Sequence, residues 1–193
     1  MSVMRAGSLV ADLPRRRFTV DEVYRMVEDG ILDEDERVEL LDGELVVVSP
    51  QGPPHGASVA ELTRRLIHAY GRACHVRVQM PLYATPYNLP EPDLAVVIGR
   101  PRDYRDRHPG GSDVRLVVEA ARTSLALDRR KTAVYAAAGV PVCWLIDLRA
   151  KTLEVFTKPT AAGHYERRQT LTVGQTIELP GLAKRWSVAA LVG

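Results

Sequence analysis

Cysteine is nearly absent: Cys74 and Cys143 are the only two among 193 residues, both fall inside apolar patterns, and they lack the CxxC spacing. A disulfide framework is therefore excluded as the source of stability, and both thiols are expected to be buried side chains. Long apolar runs are missing too. No stretch approaches the roughly 18 to 20 uninterrupted residues of a membrane-spanning helix, and the N-terminus shows no apolar core with a cleavage site. A cytoplasmic chain with no membrane partner is expected. Charge of one sign is not in excess: the formal net charge is +2, so composition neither demands nor forbids a polyanionic partner. Any nucleic-acid argument must rest on where the charges sit. Internal repeats and low-complexity tracts are absent as well. What is present, 46% hydrophobic and 26% charged residues, matches an ordinary soluble protein. The length suits one buried core. We expect a flexible N-terminal arm over residues 1–17, ending in Arg15-Arg16-Arg17, and one domain over residues 18–193.

Thr19-Val20-Asp21-Glu22 has Thr at an N-cap and Glu three residues on, a capping box that opens a short helix closed near Gly30. Val38 to Leu41 and Glu44 to Val48 are strand-like runs joined by Asp42-Gly43, a pair that tolerates the positive φ of a tight hairpin. From His55 to about Ala73, Val59, Leu62, Leu66, Ala69 and Tyr70 recur at helical spacing, which predicts a helix lying across a sheet. Val76 to Tyr83, Leu94 to Ile98 and Arg115 to Val118 read as strands of a largely buried sheet. Gly99 to Asp113 is a long polar loop. Ser124 can cap a helix to Ala138, which Gly139 and Pro141 end. Val142 to Asp147 is a buried strand, and Thr152 to Thr157 and Tyr165 to Leu171 add two more. Ser187 to Val192 reads as a closing helical turn. The order implies an α/β (α+β) domain with a mixed central sheet flanked by helices.

Pro92-Asp93 precedes one apolar strand and Glu119 follows another, so the two carboxylates can sit at neighbouring strand positions. Acids at the edge of a buried run need a cation, hydrogen bonds or solvent. Spacing alone leaves open whether they form a metal pair or mark strand ends. A hard ion such as Mg²⁺ takes oxygen ligands and needs no closed cage. Lys131 shares a helix face with Asp128 and Tyr135, bordered by Leu127 and Val134. It can snorkel to solvent. It can also stand beside the metal site, where an ammonium orients the attacking water and stabilises charge growing on phosphoryl oxygens. Arg100, Arg102, Arg105 and Arg107 form a basic stretch in the long loop expected beside Asp93. Asp103, Asp106 and Asp113 dilute it, so a solvated loop and a phosphate contact both remain open.

Glu39 in "VELLDGELV", His55 in "PPHG", Asp93 in "EPDLAVV", Glu119 in "LVVEAARTS" and the segment "DRRKTAVYAAAGVPVCWLID" together resemble the bacterial restriction endonuclease family of the Uma-two type, in the PD-(D/E)XK superfamily. The likeness runs from about Phe18 to Phe156. It implies a restriction-endonuclease-like core of four mixed strands between helices, with further strands added. It implies that Asp93 and Glu119 hold Mg²⁺, with Mn²⁺ as the alternative ion, and that DNA is the substrate. Two departures stand out. The superfamily pattern places lysine two residues after Glu119, where this chain has Ala121; the resemblance moves that role to Lys131 on the next helix. The segment "AARTS" also differs from the family's usual small residues with Ser and Pro. Glu39, His55 and Tyr135 become supporting groups, His55 able to bind phosphate or relay a proton. The function expected is a metal-dependent DNA endonuclease using Asp93, Glu119 and Lys131. An inert nuclease-fold binding module and an RNA nuclease are the competing readings. A homodimer would suit cleavage of both strands of a duplex.

Overall fold

The computed structural model describes residues 14–192 except Ser49 and Thr123. In chain order its main elements are α1 (Val20–Glu28), β1 (Val38–Leu41), β2 (Glu44–Val47), α2 (Pro53–Tyr70), β3 (Cys74–Val78), β4 (Leu94–Ile98), β5 (Val114–Ala121), α3 (Leu125–Ala137), β6 (Val142–Asp147), β7 (Thr152–Thr160), β8 (His164–Thr172), β9 (Thr176–Glu178), β10 (Arg185–Ser187) and α4 (Ala189–Val192). Six strands form one sheet in the order β3-β4-β5-β6-β7-β8. All neighbours are antiparallel except β5 and β6, which run parallel. A parallel pair needs a crossover, and α3 supplies it.

Side-chain alternation splits the core in two. Leu94, Val96, Leu116, Val118, Trp144 and Ile146 face α2, where Val59, Leu62, Leu66 and Tyr70 meet them. Ala95, Val97, Val117, Cys143 and Leu145 face the other way, against Tyr135 of α3. Strands covered on both sides are apolar through their centres, which is why Leu94–Ile98, Leu116–Val118 and Val142–Ile146 read as unbroken apolar runs. Both cysteines are free and buried, as expected. Among the described residues no helix is long and apolar enough to cross a membrane.

The periphery follows local rules. Thr19 and Glu22 close the capping box of α1, and Asp42 and Gly43 take φ of 52° and 78° in the β1–β2 turn. A third apolar cluster, Val20, Val23, Leu40 and Leu89, docks α1 and this hairpin. The expected N-terminal arm lies outside the described residues up to position 13. At its end Arg15 pairs with Glu44 at 2.8 Å, Arg16 pairs with Glu22, and Arg17 stacks over Tyr87.

Several boundaries differ from expectation: α2 runs Pro53–Tyr70 and Ser187 ends β10 ahead of the closing turn Ala189–Val192. The strand expected over Val76 to Tyr83 is Cys74–Val78 instead, because Gln79 adopts φ 48° and turns the chain out of the ladder. β5 runs on to Ala121, since Glu119, Ala120 and Ala121 pair with Leu145, Ile146 and Asp147 of β6. Glu119 therefore lies within a strand, not after it. Ser124 stands at the N-cap of α3 without a side-chain capping bond; its hydroxyl donates to Asp128 instead. The small β9–β10 ribbon carried no pattern long enough to read.

Candidate active site

Asp93 immediately precedes β4, and the antiparallel register that pairs Leu94 with Val118 sets it beside Glu119 of β5. The main chain locks the two together. The Ala120 N–H donates to Asp93 Oδ2 at 2.8 Å, and the Asp93 N–H donates to Glu119 Oε2 at 3.3 Å. The other Asp93 oxygen, Oδ1, meets His55 Nε2 at 3.1 Å and the side-chain amides of Gln51 at 3.2 Å and Gln79 at 3.3 Å. Burial pushes the Asp93 pKa up, but the bonds from His55, Ala120 and Gln51 outweigh it and hold the pKa below its ordinary value. The bond to Asp93 raises the His55 pKa against its own burial. An ionised Asp93 facing a proton-bearing His55 is the consistent assignment. The turn at Gln79 helps explain the positive φ: a residue held in that uncommon conformation places its amide on Asp93.

Glu119 is 2% exposed. Its Oε1 accepts from the Tyr135 hydroxyl and lies 2.9 Å from Lys131 Nζ. Burial pushes its pKa up to about 8; Lys131 opposes this, while Asp93 and Asp128 add to it. Lys131 is 3% exposed, so it does not snorkel. Its Nζ donates to Glu39 Oε1 at 3.2 Å, with Glu39 Oε2 3.0 Å away, and to the Glu91 carbonyl at 3.1 Å, so with Glu119 it has three acceptor groups for three N–H groups. Burial works against the ammonium, but Glu119 and Glu39 prevail and the net shift is upward. It stays charged at neutral pH.

The structure thus brings Asp93, Glu119, Lys131, Glu39, His55 and Tyr135 together. The first five line one cavity of about 620 Å³, and Tyr135 supports Glu119 from the core. Lysine at position 121 is not needed to reach Glu119. Ala121 is fully buried in the α3-side core, and α3 carries the ammonium in from one turn above.

The loop arginines lie elsewhere. The loop leaves β4 after Ile98, whereas Asp93 stands before Leu94. Five strand residues separate them, roughly 16 Å along the strand. Arg100, Arg102, Arg105 and Arg107 therefore do not line the carboxylate cavity, which corrects their expected position beside Asp93. Arg107 is held by Asp113 at 2.7 Å. Besides Lys131 and His55, the basic residues on the cavity wall are Arg122 and Arg149. Sequence reasoning missed these two, along with Gln51 and Gln79, because a polar loop residue carries no periodic signal. Asp128 also lines the cavity, and burial raises its pKa; its spacing from Lys131 was the signal available for it.

Two carboxylate groups at the head of a polar cavity are a donor set for a hard divalent ion, which accepts few protein oxygens and completes its shell with water and phosphate. Among the described residues no three His, Cys, Asp or Glu side chains converge as a closed metal cage. Glu39 Oε2 is buried and makes no hydrogen bond beyond its ion pair. A buried acid with its pKa near 8 is also one that added positive charge would return to the ionised form. The residues fit such an ion.

Comparison with known proteins agrees with the architecture. The family described as "Uma2: Putative restriction endonuclease" matches residues 20–191. A crystal structure described as that of a "putative nuclease belonging to DUF820" from Anabaena variabilis superposes with a TM-score of 0.73 at 18% identity, covering 91% of this chain and 97% of that one. No curated protein matches the chain.

Proposed function

Since the chain belongs to the Uma2 restriction-endonuclease-like family, we propose that it is a Mg²⁺-dependent endonuclease that hydrolyses phosphodiester bonds in DNA, with Mn²⁺ able to substitute. The observation that carries this reading is the meeting of Lys131 with Glu119 at 2.9 Å beside an Asp93 locked by the Ala120 N–H. Asp93 and Glu119 would hold the ion. When bound, it lowers the pKa of a water and offsets negative charge on the phosphoryl group.

The protein's own groups do the rest. Lys131 keeps its proton, so it serves as a charge donor and not as a base. With its three N–H groups engaged, its charge acts through space to stabilise the negative charge that grows on the phosphoryl oxygens in the transition state. Tyr135 aims the Glu119 carboxylate, and Glu39 keeps the Lys131 ammonium from swinging away. His55, Gln51 and Gln79 fix the orientation of Asp93, and His55 is placed to pass a proton to the departing oxygen. Arg122 and Arg149, on the cavity wall, are placed to meet the flanking phosphates.

The test is single-turnover cleavage of plasmid DNA and of a matched RNA in Mg²⁺ or Mn²⁺, with Asp93→Asn as the control. DNA cleavage that needs the ion and vanishes in the variant is the expected result. RNA cut in preference to DNA would reassign the substrate. Ala121 favours a second reading, a nuclease fold kept as a nucleic-acid-binding module without catalysis. Wild-type protein that binds the ion yet cuts neither nucleic acid would establish that reading.

A further inference from the structure

A second cavity, of about 430 Å³, opens at the β3 edge of the sheet and shares no lining residue with the carboxylate cavity. Its base is Arg77. Arg77 pairs with Ala95, whose side chain belongs to the α3-side core, so the guanidinium projects from that face of the edge strand. It is poorly satisfied there. One terminal nitrogen, Nη2, makes two long bonds, to the Pro81 carbonyl at 3.4 Å and to His108 Nδ1 at 3.3 Å. Nε is buried with no partner. Burial depresses the Arg77 pKa, and only the tyrosines Tyr104 and Tyr24 act against it. A half-buried guanidinium without a carboxylate beside it is costly, and an anion in the cavity would remove that cost.

The rim supplies the rest of a ligand site. His108 Nδ1 accepts from Arg77, so its Nε2 carries the hydrogen and donates to the Tyr24 oxygen at 2.6 Å. That arrangement frees the Tyr24 hydroxyl hydrogen to donate into the cavity. Burial lowers the His108 pKa, which keeps the ring neutral as this tautomer requires. Tyr83 is 41% exposed, and Tyr104 is anchored by its hydroxyl to the Ile98 carbonyl at 2.8 Å. Both rings line the cavity, but Tyr104 is already covered by the Arg107 guanidinium, 5.0 Å from its ring centroid, and by His75, so Tyr83 is the ring on which a base can stack. Arg105 adds a positive charge at the mouth. Asp21 and Asp106, also at the mouth, offset much of that charge, which favours one singly charged phosphate over a polyphosphate.

We propose that this cavity binds one nucleotide unit, its phosphate on Arg77 and the Tyr24 hydroxyl and its base against Tyr83, as a nucleic-acid contact separate from the cleavage centre. It goes beyond the endonuclease reading and gives the loop containing Arg105 a role away from the metal site. The nucleotide can belong to a strand or be free, and the experiment separates these sources. Binding of inorganic phosphate, dTMP and a twelve-residue oligothymidylate to the full chain is measured in EDTA, so that neither metal nor cleavage enters the readout. The oligonucleotide is expected to bind, with dTMP weaker and inorganic phosphate weakest. Tight dTMP binding without any gain for the oligonucleotide identifies a free mononucleotide as the source. Arg77→Met should weaken binding by about tenfold or more, the loss expected for a charge-assisted hydrogen bond. It should leave the melting temperature unchanged or raised, because it removes an unpaired charge; an arginine kept for structure alone would do the opposite. Arg105→Glu, at the exposed mouth, should weaken binding without touching the fold. Failure of both dTMP and oligonucleotide to bind, or wild-type affinity in Arg77→Met, overturns the proposal. Equal affinity for phosphate and dTMP overturns the stacked base.

Discussion

Lys131→Met tests the centre of the candidate site most directly, because methionine keeps the length and most of the volume of lysine and removes only the charge. Glu39 and Glu119, 6% and 2% exposed, would lose the ammonium they share at 3.0 and 2.9 Å. Removing one partner of a buried ion pair costs about 3–5 kcal/mol. For a chain of this size each kcal/mol shifts the melting temperature by about 2–4 °C, so the metal-free variant should melt roughly 6–20 °C lower above pH 8. Near pH 6 the loss should be smaller. Glu119, its pKa raised to about 8 by burial, is protonated there with or without the lysine, so only Glu39 loses an opposite charge. Mn²⁺ should recover much of the stability by bringing positive charge back to the same carboxylates. Cleavage should not recover with it. Loss of a preorganised charge donor in the transition state costs about 10² to 10³ in rate, and it appears in kcat with little change in DNA affinity. Scanning calorimetry at pH 6 and pH 8.5 with and without Mn²⁺, alongside single-turnover plasmid cleavage, reads both parts. A variant that melts with the wild type and cuts at the wild-type rate would refute the reasoning entirely.

Lys131→Arg should rescue poorly, since a planar fork does not match three acceptors gathered around one nitrogen; cleavage within threefold of wild type would contradict this. Asp93→Asn should abolish Mn²⁺ binding by calorimetry. It should also lower stability by about 1–3 kcal/mol, because the amide must turn its NH₂ toward either the Ala120 N–H or the donors on Oδ1; unchanged Mn²⁺ affinity would rule the residue out as a ligand. The pH dependence of stability has a defined sign. The Glu119 pKa is raised from 4.5 to about 8 on folding, so between those values the folded chain holds a proton that the unfolded chain has lost, and this contribution to stability falls as pH rises, by up to ~1.4 kcal/mol per unit. Denaturation of the metal-free protein from pH 5 to 8 should therefore show a slope that Glu119→Gln flattens, and parallel profiles for the two proteins would exclude the shift.

Much of this was legible in local patterns. The capping box at Thr19 and Glu22, the Asp42-Gly43 turn and the 3.6-residue period of α2 depend on residues within a turn or two of each other. Asp93 and Glu119 stood out because an acid flanking an apolar run is conspicuous in any sequence. Lys131 and Tyr135 were placed on one helix face by spacing. What spacing left open was the direction of that face, and with it the choice between a lysine reaching solvent and a lysine buried against two acids. The family resemblance points to the metal site; the observed burial follows from α3 lying on the sheet across β5 to β8.

The loop arginines illustrate the opposite case. Their distance from Asp93 in sequence is short, but a strand carries its two ends apart, so nearness along the chain became separation in space. Glu39 and Lys131 are 92 residues apart and meet only because the β1–β2 hairpin docks at the head of the sheet. Gln51 and Gln79 reach Asp93 from two separate loops, and nothing in their own neighbourhoods marks them. Helix starts, turns and alternation are set by steric and hydrogen-bonding rules acting over a few residues, so the sequence by itself determined the elements and the residue types able to do the chemistry. Strand order, register and the docking of α3 depend on burying apolar faces that lie far apart along the chain. Only the tertiary structure could therefore decide which acids share the lysine, and which charges stand at the site or at the far end of its strand.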